Sequence, residues 1–151
     1  MKTLSMSKFH AILCAAVLAV TSLSSTSHAQ SSDTIAVVNV PFGFEFGSQH
    51  FAAGPYTMSE ISTHIVAIRG VSKSGFAMTM QDINLKPSTQ SKMIFRNYGG
   101  RMFLHEVWTA GDTVHLECVK TKAEKRAERT ELASNPAQVT NVEVALLETP
   151  R

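Results

Sequence analysis

The sequence has only two cysteines and one tryptophan, and it has no apolar run long enough for a membrane-spanning helix. Its longest apolar segment, residues 11–20, has about half of the roughly 20 residues that such a helix needs. Cys14 lies inside this segment, so Cys118 is the one cysteine in the rest of the chain. An intramolecular disulfide is excluded there, and packing must stabilise the fold. We expect Cys118 to be a buried thiol, with a disulfide between two chains as the alternative.

A strong net charge is also lacking beyond the N-terminal segment. The chain has 14 Lys and Arg against 12 Asp and Glu, and Lys2 and Lys8 make up the excess. The remaining residues are neutral overall, which gives no basis for a nucleic-acid partner or an anionic membrane surface. Basic and acidic side chains are interspersed over residues 120–131, which is typical of a solvated helix face.

The N-terminal segment has the order of an export signal. Two lysines precede the short apolar run, and Ser27 and Ala29 put small side chains at the positions that a signal peptidase inspects. We therefore expect a cleavable signal peptide over residues 1–29, with the cut between Ala29 and Gln30. A single domain over residues 30–151 would then be periplasmic or secreted, with no transmembrane anchor after cleavage.

Alternating apolar side chains indicate β-strands in most of the remaining chain. Every even position from 36 to 46 is apolar, as in a strand buried on one face, and Pro41 either marks an edge or divides this strand in two. Further strand patterns lie at 56–61, 65–71, 76–81, 92–98, 101–108, 114–119 and 139–147. We expect a mainly β domain, a single antiparallel β-barrel or sandwich of about seven or eight short strands.

Two adjacent glycines at 99 and 100 predict a tight hairpin between residues 92–98 and 101–108. The short turn sets the register, and the predicted pairs are Tyr98 with Arg101, Arg96 with Phe103, Phe95 with Leu104, and Ile94 with His105. The more apolar face of this hairpin is predicted to contain Met93, Phe95, Met102, Leu104 and Trp108.

The segment 76–81 alternates in the same way and predicts one apolar face with Phe76, Met78 and Met80. Two methionines at this spacing are also how exported copper-handling proteins can hold Cu(I). Other methionines lie in the same apolar phase of the neighbouring strands, which favours ordinary core packing.

Residues 121–136 carry the start and stop signals of one helix. Thr121 and Glu124 predict a capping box, in which the Thr hydroxyl accepts from the amide of Glu124 and the Glu carboxylate reaches back to the amide of Thr121. Asn135 and Pro136 end the helix. We expect a surface helix over about residues 122–133, because its apolar row is narrow.

No segment has the spacing of a catalytic or metal-binding motif. Histidines remain at positions 50, 64, 105 and 115, and none has a second ligand at zinc-site spacing. We therefore predict no catalytic, cofactor-binding or metal-ligating residue and no cofactor. An enzyme that uses His105 with Glu106, or His115 with Asp112, is kept as an alternative. Strand alternation would place the side chains of His105 and Glu106 on opposite faces.

Four stretches together resemble a group of small exported proteins from environmental bacteria: VPFGFEF at 40–46, AAGPYTM at 52–58, the hairpin at 95–108, and KAEKRAER at 122–129. The resemblance implies a β-rich exported domain and no known activity. We hypothesise a non-enzymatic module that binds a protein partner or the cell envelope. A carrier of a small apolar ligand is a further alternative, with a barrel interior lined by Phe42, Phe44 and Phe46.

Overall fold

The computed structural model describes residues 33–147, and the expected signal peptide with its cleavage point lies outside them. Ten strands are present in this part of the chain: β1 (Asp33–Val40), β2 (Phe44–Phe46), β3 (Gln49–Phe51), β4 (Gly54–Ser62), β5 (Ile65–Arg69), β6 (Ser74–Ile83), β7 (Lys92–Tyr98), β8 (Arg101–Trp108), β9 (Val114–Cys118) and β10 (Val139–Ala145). One helix, α1 (Lys122–Ser134), comes late and is followed by a short 3-10 turn at Pro136–Gln138. The mainly β fold with a single late helix is thus confirmed.

The strands form one sheet in the order β1-β4-β5-β6-β9-β8, which continues through β7 to β10. All neighbours in this series are antiparallel. The short β2–β3 hairpin pairs with the other end of β8, where Glu45 lies beside Phe103 in the parallel sense. The sheet is not closed, since β1 meets the segment after β10 only at an isolated bridge between Val37 and Leu147. An open barrel or a sandwich describes this architecture.

The break at Pro41 explains why the first alternating stretch gives two strands. β1 ends at Val40, and β2 begins at Phe44. Gly47 then turns the chain into β3 with a positive φ of 58°. A Cβ atom at this position would stand 2.6 Å from the carbonyl oxygen of Phe76, so this turn has room for glycine alone.

The β2–β3 hairpin directs aromatic rings into the core. Phe44 stacks on Phe51 with ring centroids 5.5 Å apart, and it meets Tyr56 and Phe95 edge to face at 5.4 and 5.3 Å. Phe42 packs edge-on against Phe95 at 5.1 Å. These rings fill the interior where they meet, so the aromatic face expected to line a ligand cavity is packed against the protein's own side chains.

The prediction that Phe76, Met78 and Met80 act as core residues is wrong. Their side chains point outward and are 69, 65 and 53% exposed, while Gly75, Ala77 and Thr79 face the interior. A Cβ atom on Gly75 would lie 2.7 Å from Cζ of Phe51. The aromatic core therefore leaves room only for small residues on the inward face of β6, and the large apolar ones are on the outside.

The hairpin of β7 and β8 follows the predicted register at three of four pairs: Tyr98 with Arg101, Arg96 with Phe103, and Phe95 with Leu104. The pairing of Ile94 with His105 is wrong, because Ile94 pairs with Glu106 and His105 is the extra residue of a β-bulge. Alternation shifts by one residue beyond this point. Val107, rather than Trp108, joins the buried core beside Met93, Phe95 and Leu104.

Helix α1 lies on the outward face of the β7–β8 hairpin, where Ala127 packs against Tyr98 and Phe103. One half of the predicted capping box is confirmed, since the Thr121 hydroxyl accepts from the amide of Glu124 at 3.1 Å, and Asn135 caps the end of the helix. The other half is wrong: among the described residues the Glu124 carboxylate forms no hydrogen bond with the amide of Thr121. The carboxyl of Glu124 is buried, and its Oε1 atom has no hydrogen-bond partner among the described residues. Cys118 is buried, as expected.

Candidate functional site

Polar and apolar side chains meet on the outward face of β6, β8 and β9. In the register of these strands Glu106 lies opposite Glu117, which lies opposite Met80 on the other side. One step along, Trp108 lies opposite His115, which lies opposite Asp82. We name two groups on this face: the His–carboxylate cluster (Asp82, His105, Glu106, His115 and Glu117) and the β6 stripe (Phe76, Met78 and Met80).

The bulge brings His105 into the cluster. Its Nε2 atom lies 3.3 Å from Oε1 of Glu106 and 3.6 Å from Oε1 of Glu117, and the residue is 2% exposed. The expectation that His105 and Glu106 point to opposite faces is therefore wrong. A bulge places two consecutive side chains on the same side of a sheet, which strict alternation does not allow.

Burial lowers the pKa of His105 below the ordinary value, and the positive charge of Arg96 lowers it further. The carboxylates of Glu106 and Glu117 oppose this shift without reversing it. The imidazole is therefore neutral at neutral pH. Its Nδ1 atom is buried and has no hydrogen-bond partner among the described residues.

Trp108 lies against His115, which is the second histidine of the His–carboxylate cluster. Their rings stack with centroids 3.9 Å apart and planes 7° from parallel. The indole Nε1 of Trp108 donates a hydrogen bond of 2.8 Å to Oε2 of Glu106. The Nε2 atom of His115 points between Asp82 and Glu106, at 3.8 and 4.0 Å from their nearest oxygens, which is longer than a hydrogen bond. Its Nδ1 atom is buried without a partner among the described residues.

The β6 stripe borders the cluster directly. Met80 is the cross-strand neighbour of Glu117, Met78 pairs with the half-buried Ile65, and Phe76 pairs with Ala67. Ile65 and Ala67 of β5 therefore extend the apolar surface beside the β6 stripe. The surface is apolar along β6 and acidic where β6 meets β9.

Of the two pairs kept from the sequence, the structure brings His105 and Glu106 together. The carboxylates nearest to Nε2 of His115 are those of Asp82 and Glu106, at 3.8 and 4.0 Å, whereas Asp112 is an exposed residue between β8 and β9. Sequence reasoning missed Asp82, Glu117 and Trp108. Each is an outward residue of a strand, and their assembly depends on the bulge at His105 and on the pairing of β9 with both β6 and β8.

Within residues 33–147 no group of three or more His, Cys, Asp or Glu side chains is arranged to hold a metal ion. Nor does this part of the chain contain a helix long and apolar enough to cross a membrane. What the site offers chemically is a set of carboxylates beside a neutral imidazole and an exposed apolar strand. Such a surface suits a ligand that is both apolar and positively charged.

No protein-family model matches the sequence, and no curated protein or solved structure matches it either.

Proposed function

We propose that this chain is an exported, non-enzymatic module that binds another protein through the outward face of β6. The observation that carries the proposal is the exposure of the whole β6 stripe on a regular strand whose inward residues next to the stripe, Gly75, Ala77 and Thr79, are small. The order of charges, apolar run and small residues at the N-terminus supports the exported location.

Contiguous exposed apolar side chains on a sheet are a mark of interaction surfaces. Complete burial of one such side chain stabilises by about 1.5–3 kcal/mol, so covering the exposed half to two thirds of each would contribute about 1–2 kcal/mol. Methionine suits such a surface, because its flexible thioether adapts to the shape of a partner. Three neighbouring side chains would together contribute about 3–6 kcal/mol, which is comparable with the contribution of hot-spot residues at protein interfaces.

A protein partner is favoured over the envelope lipid by the charges beside the stripe. Glu117 is the direct neighbour of Met80, and Asp82 continues the same outward row of β6. Anionic lipid headgroups attract basic surfaces and repel carboxylates. A lipid-binding face would therefore be expected to carry lysine or arginine where this one carries acids.

The contact between His105 and Glu106 supports general acid–base chemistry as a second candidate function. Its weakness lies in access, since the ring of His105 is almost fully buried and the two carboxylates next to it, those of Glu106 and Glu117, are more exposed than the ring. A substrate would meet these oxygens before it met the imidazole.

The test is site-specific photo-crosslinking in the native cells. A benzoylphenylalanine replaces Met78 in the full chain, and the matched control carries it in place of Glu143, an exposed residue of β10. We expect one discrete adduct with another protein from position 78 and none from position 143. The adduct should vanish when Phe76 and Met80 are both changed to serine. Equal labelling from both positions, or adducts of this chain with itself alone, would overturn the proposal.

A further inference from the structure

We infer that the partner presents an extended segment with apolar side chains at alternate positions, followed two residues later by a lysine or arginine that enters the His–carboxylate cluster. This inference rests on the proposed function and adds the chemistry of the partner. It commits to one occupant of the β6 face, chosen by the charge and spacing of the residues found there.

The spacing of the surface matches an extended chain. Phe76, Met78 and Met80 follow one another at every second residue of β6, about 6.6–6.8 Å apart. An extended partner has the same repeat on each of its faces, so three of its alternate side chains can lie over the three stripe residues. The next outward position of β6 is Asp82, which lies beside His115. The fourth alternate side chain of the partner therefore falls at the cluster.

The cluster has more negative charge than its neighbours neutralise. Asp82, Glu106 and Glu117 supply three carboxylates, and no Lys or Arg among the described residues forms a salt bridge with them. The nearby Lys120 is bound to Glu128 on the helix. Arg96 is close enough for its charge to act on His105, but it is in salt-bridge distance of none of the three carboxylates. Burial keeps the pKa of His105 low, so this ring adds no compensating charge at neutral pH. A cationic side chain of a partner would be complementary to these three carboxylates.

His115 provides an independent indication that something polar belongs there. Its side chain is more than nine-tenths buried, and its Nδ1 atom is buried without a hydrogen-bond partner among the described residues. Its Nε2 atom lies 3.8 and 4.0 Å from the nearest oxygens of Asp82 and Glu106, which is beyond hydrogen-bond distance. Buried polar side chains in proteins are nearly always hydrogen-bonded, and those that are not call for an explanation. An N–H group placed between the two carboxylates would also supply a donor to Nε2.

A basic side chain fits these requirements better than a metal ion. The described residues hold no set of three ligands arranged around one point. Lysine has three N–H donors and arginine five, which can serve several carboxylate oxygens at once. Their aliphatic stems would lie over Met80 and the exposed edge of Trp108.

The experiment measures the binding of three nine-residue peptides to the full chain. Leucine occupies positions 1, 3 and 5, threonine fills the spaces, and position 7 is Lys, Gln or Glu. Binding is followed in protein labelled at the methionine methyl groups, where Met78 and Met80 report on the surface and the buried Met58 and Met93 are internal controls. We expect the Lys peptide to shift Met78 and Met80 and to bind at least tenfold more tightly than the Glu peptide.

Neutral variants of the acidic residues test which side chains cause the preference for the Lys peptide. Changing Asp82→Asn and Glu117→Gln together should remove the advantage of the Lys peptide, whereas Glu143→Gln should preserve it. Equal affinities for all three peptides, or a preference that survives the double change, would overturn the inference. The inference also fails if no peptide moves Met78 and Met80, or if Met78→Ser leaves every affinity unchanged, whereas the proposed function fails separately, on the crosslinking outcomes given above. Weakening of all three peptides by Met78→Ser without a charge preference would contradict the inference alone.

Discussion

Phe51 and Gly75 approach so closely that a Cβ atom on the glycine would lie 2.7 Å from Cζ of the phenylalanine ring. Phe51 is fully buried and stacks with Phe44, so the ring has no open space into which it could move. The core therefore dictates a small residue on the inward face of β6. This contact links the packing of the interior to the apolar surface outside it.

Replacing Gly75 by alanine should destabilise the domain by about 1–3 kcal/mol, the usual cost of forcing a methyl group into a packed core. The midpoint of urea unfolding measures the loss. Ser74→Ala, at the exposed neighbouring position, is the matched control and should change stability by less than about 0.5 kcal/mol. A second change, Phe51→Leu, should recover part of the stability in the Gly75→Ala background, since it removes the ring carbon that clashes. Equal midpoints for Gly75→Ala and the wild type would contradict the packing described here.

Because the side chain of Met78 points outward, we expect its substitution to change stability little, in contrast to Gly75→Ala. Met78→Ser should lower the free energy of unfolding by less than about 0.5 kcal/mol, because most of this side chain is already in water. Met58→Ala, a change at a fully buried methionine of β4, should cost about 2–5 kcal/mol. Thermal unfolding followed by circular dichroism compares the two. Similar losses for both would show that Met78 is in the core, as its sequence pattern suggests.

The strands, the Gly99–Gly100 hairpin and the helix could be predicted because each depends on local signals. Alternation reveals a strand, two glycines reveal a tight turn, and Thr121 with Glu124 reveals a helix start. The inward face of β6 could not be predicted, since it depends on where Phe51 packs, and Phe51 is distant from Gly75 in sequence. The hydrophobic pattern predicted the wrong face of β6 to be buried, because the larger apolar residues of this strand, Phe76, Met78 and Met80, are exposed.

The candidate site depended on a single local irregularity. One extra residue at His105 moves Glu106 and Trp108 to the outward face and lets Val107 take the inward position. Nothing in the sequence around His105 marks a bulge, since no glycine or proline stands there. The pair His105 and Glu106 could be proposed from sequence, but their contact and the contributions of Asp82 and Glu117 could not.

Cys118 should destabilise the fold at alkaline pH. Burial raises the pKa of its thiol from 9.0 to about 12, and the charges of Glu124 and Glu117 add to the rise. The unfolded chain loses this proton first as pH increases, so the free energy of unfolding should fall by about 1.4 kcal/mol per pH unit above about pH 9. Urea midpoints at pH 8, 9 and 10 should therefore decline more steeply in the wild type than in Cys118→Ala. Parallel profiles for the two proteins would contradict the buried thiol.

The lowered pKa of His105 predicts a loss of stability in acid. In the unfolded chain this imidazole takes up a proton as pH falls through its ordinary value of 6.5, whereas in the fold burial and Arg96 delay protonation to a lower pH. Fewer protons are bound by the folded state, so the free energy of unfolding must decrease as pH is lowered from 6.5 toward the folded-state pKa. The groups that face the ring are Arg96 and Lys120, which favour the neutral form, and Glu106 and Glu117, which oppose it.

Unfolding midpoints between pH 7.5 and 5 would measure this contribution as the difference between the wild type and His105→Gln. The variant keeps a polar side chain that cannot be protonated, so its profile should be flatter over the acidic half of this range. Titration of the His105 ring protons by NMR gives the same answer directly, with a midpoint below 6.5. A midpoint above 6.5 would mean that Glu106 and Glu117 outweigh burial, and the cluster would then carry its own positive charge and have less need of a cation from a partner.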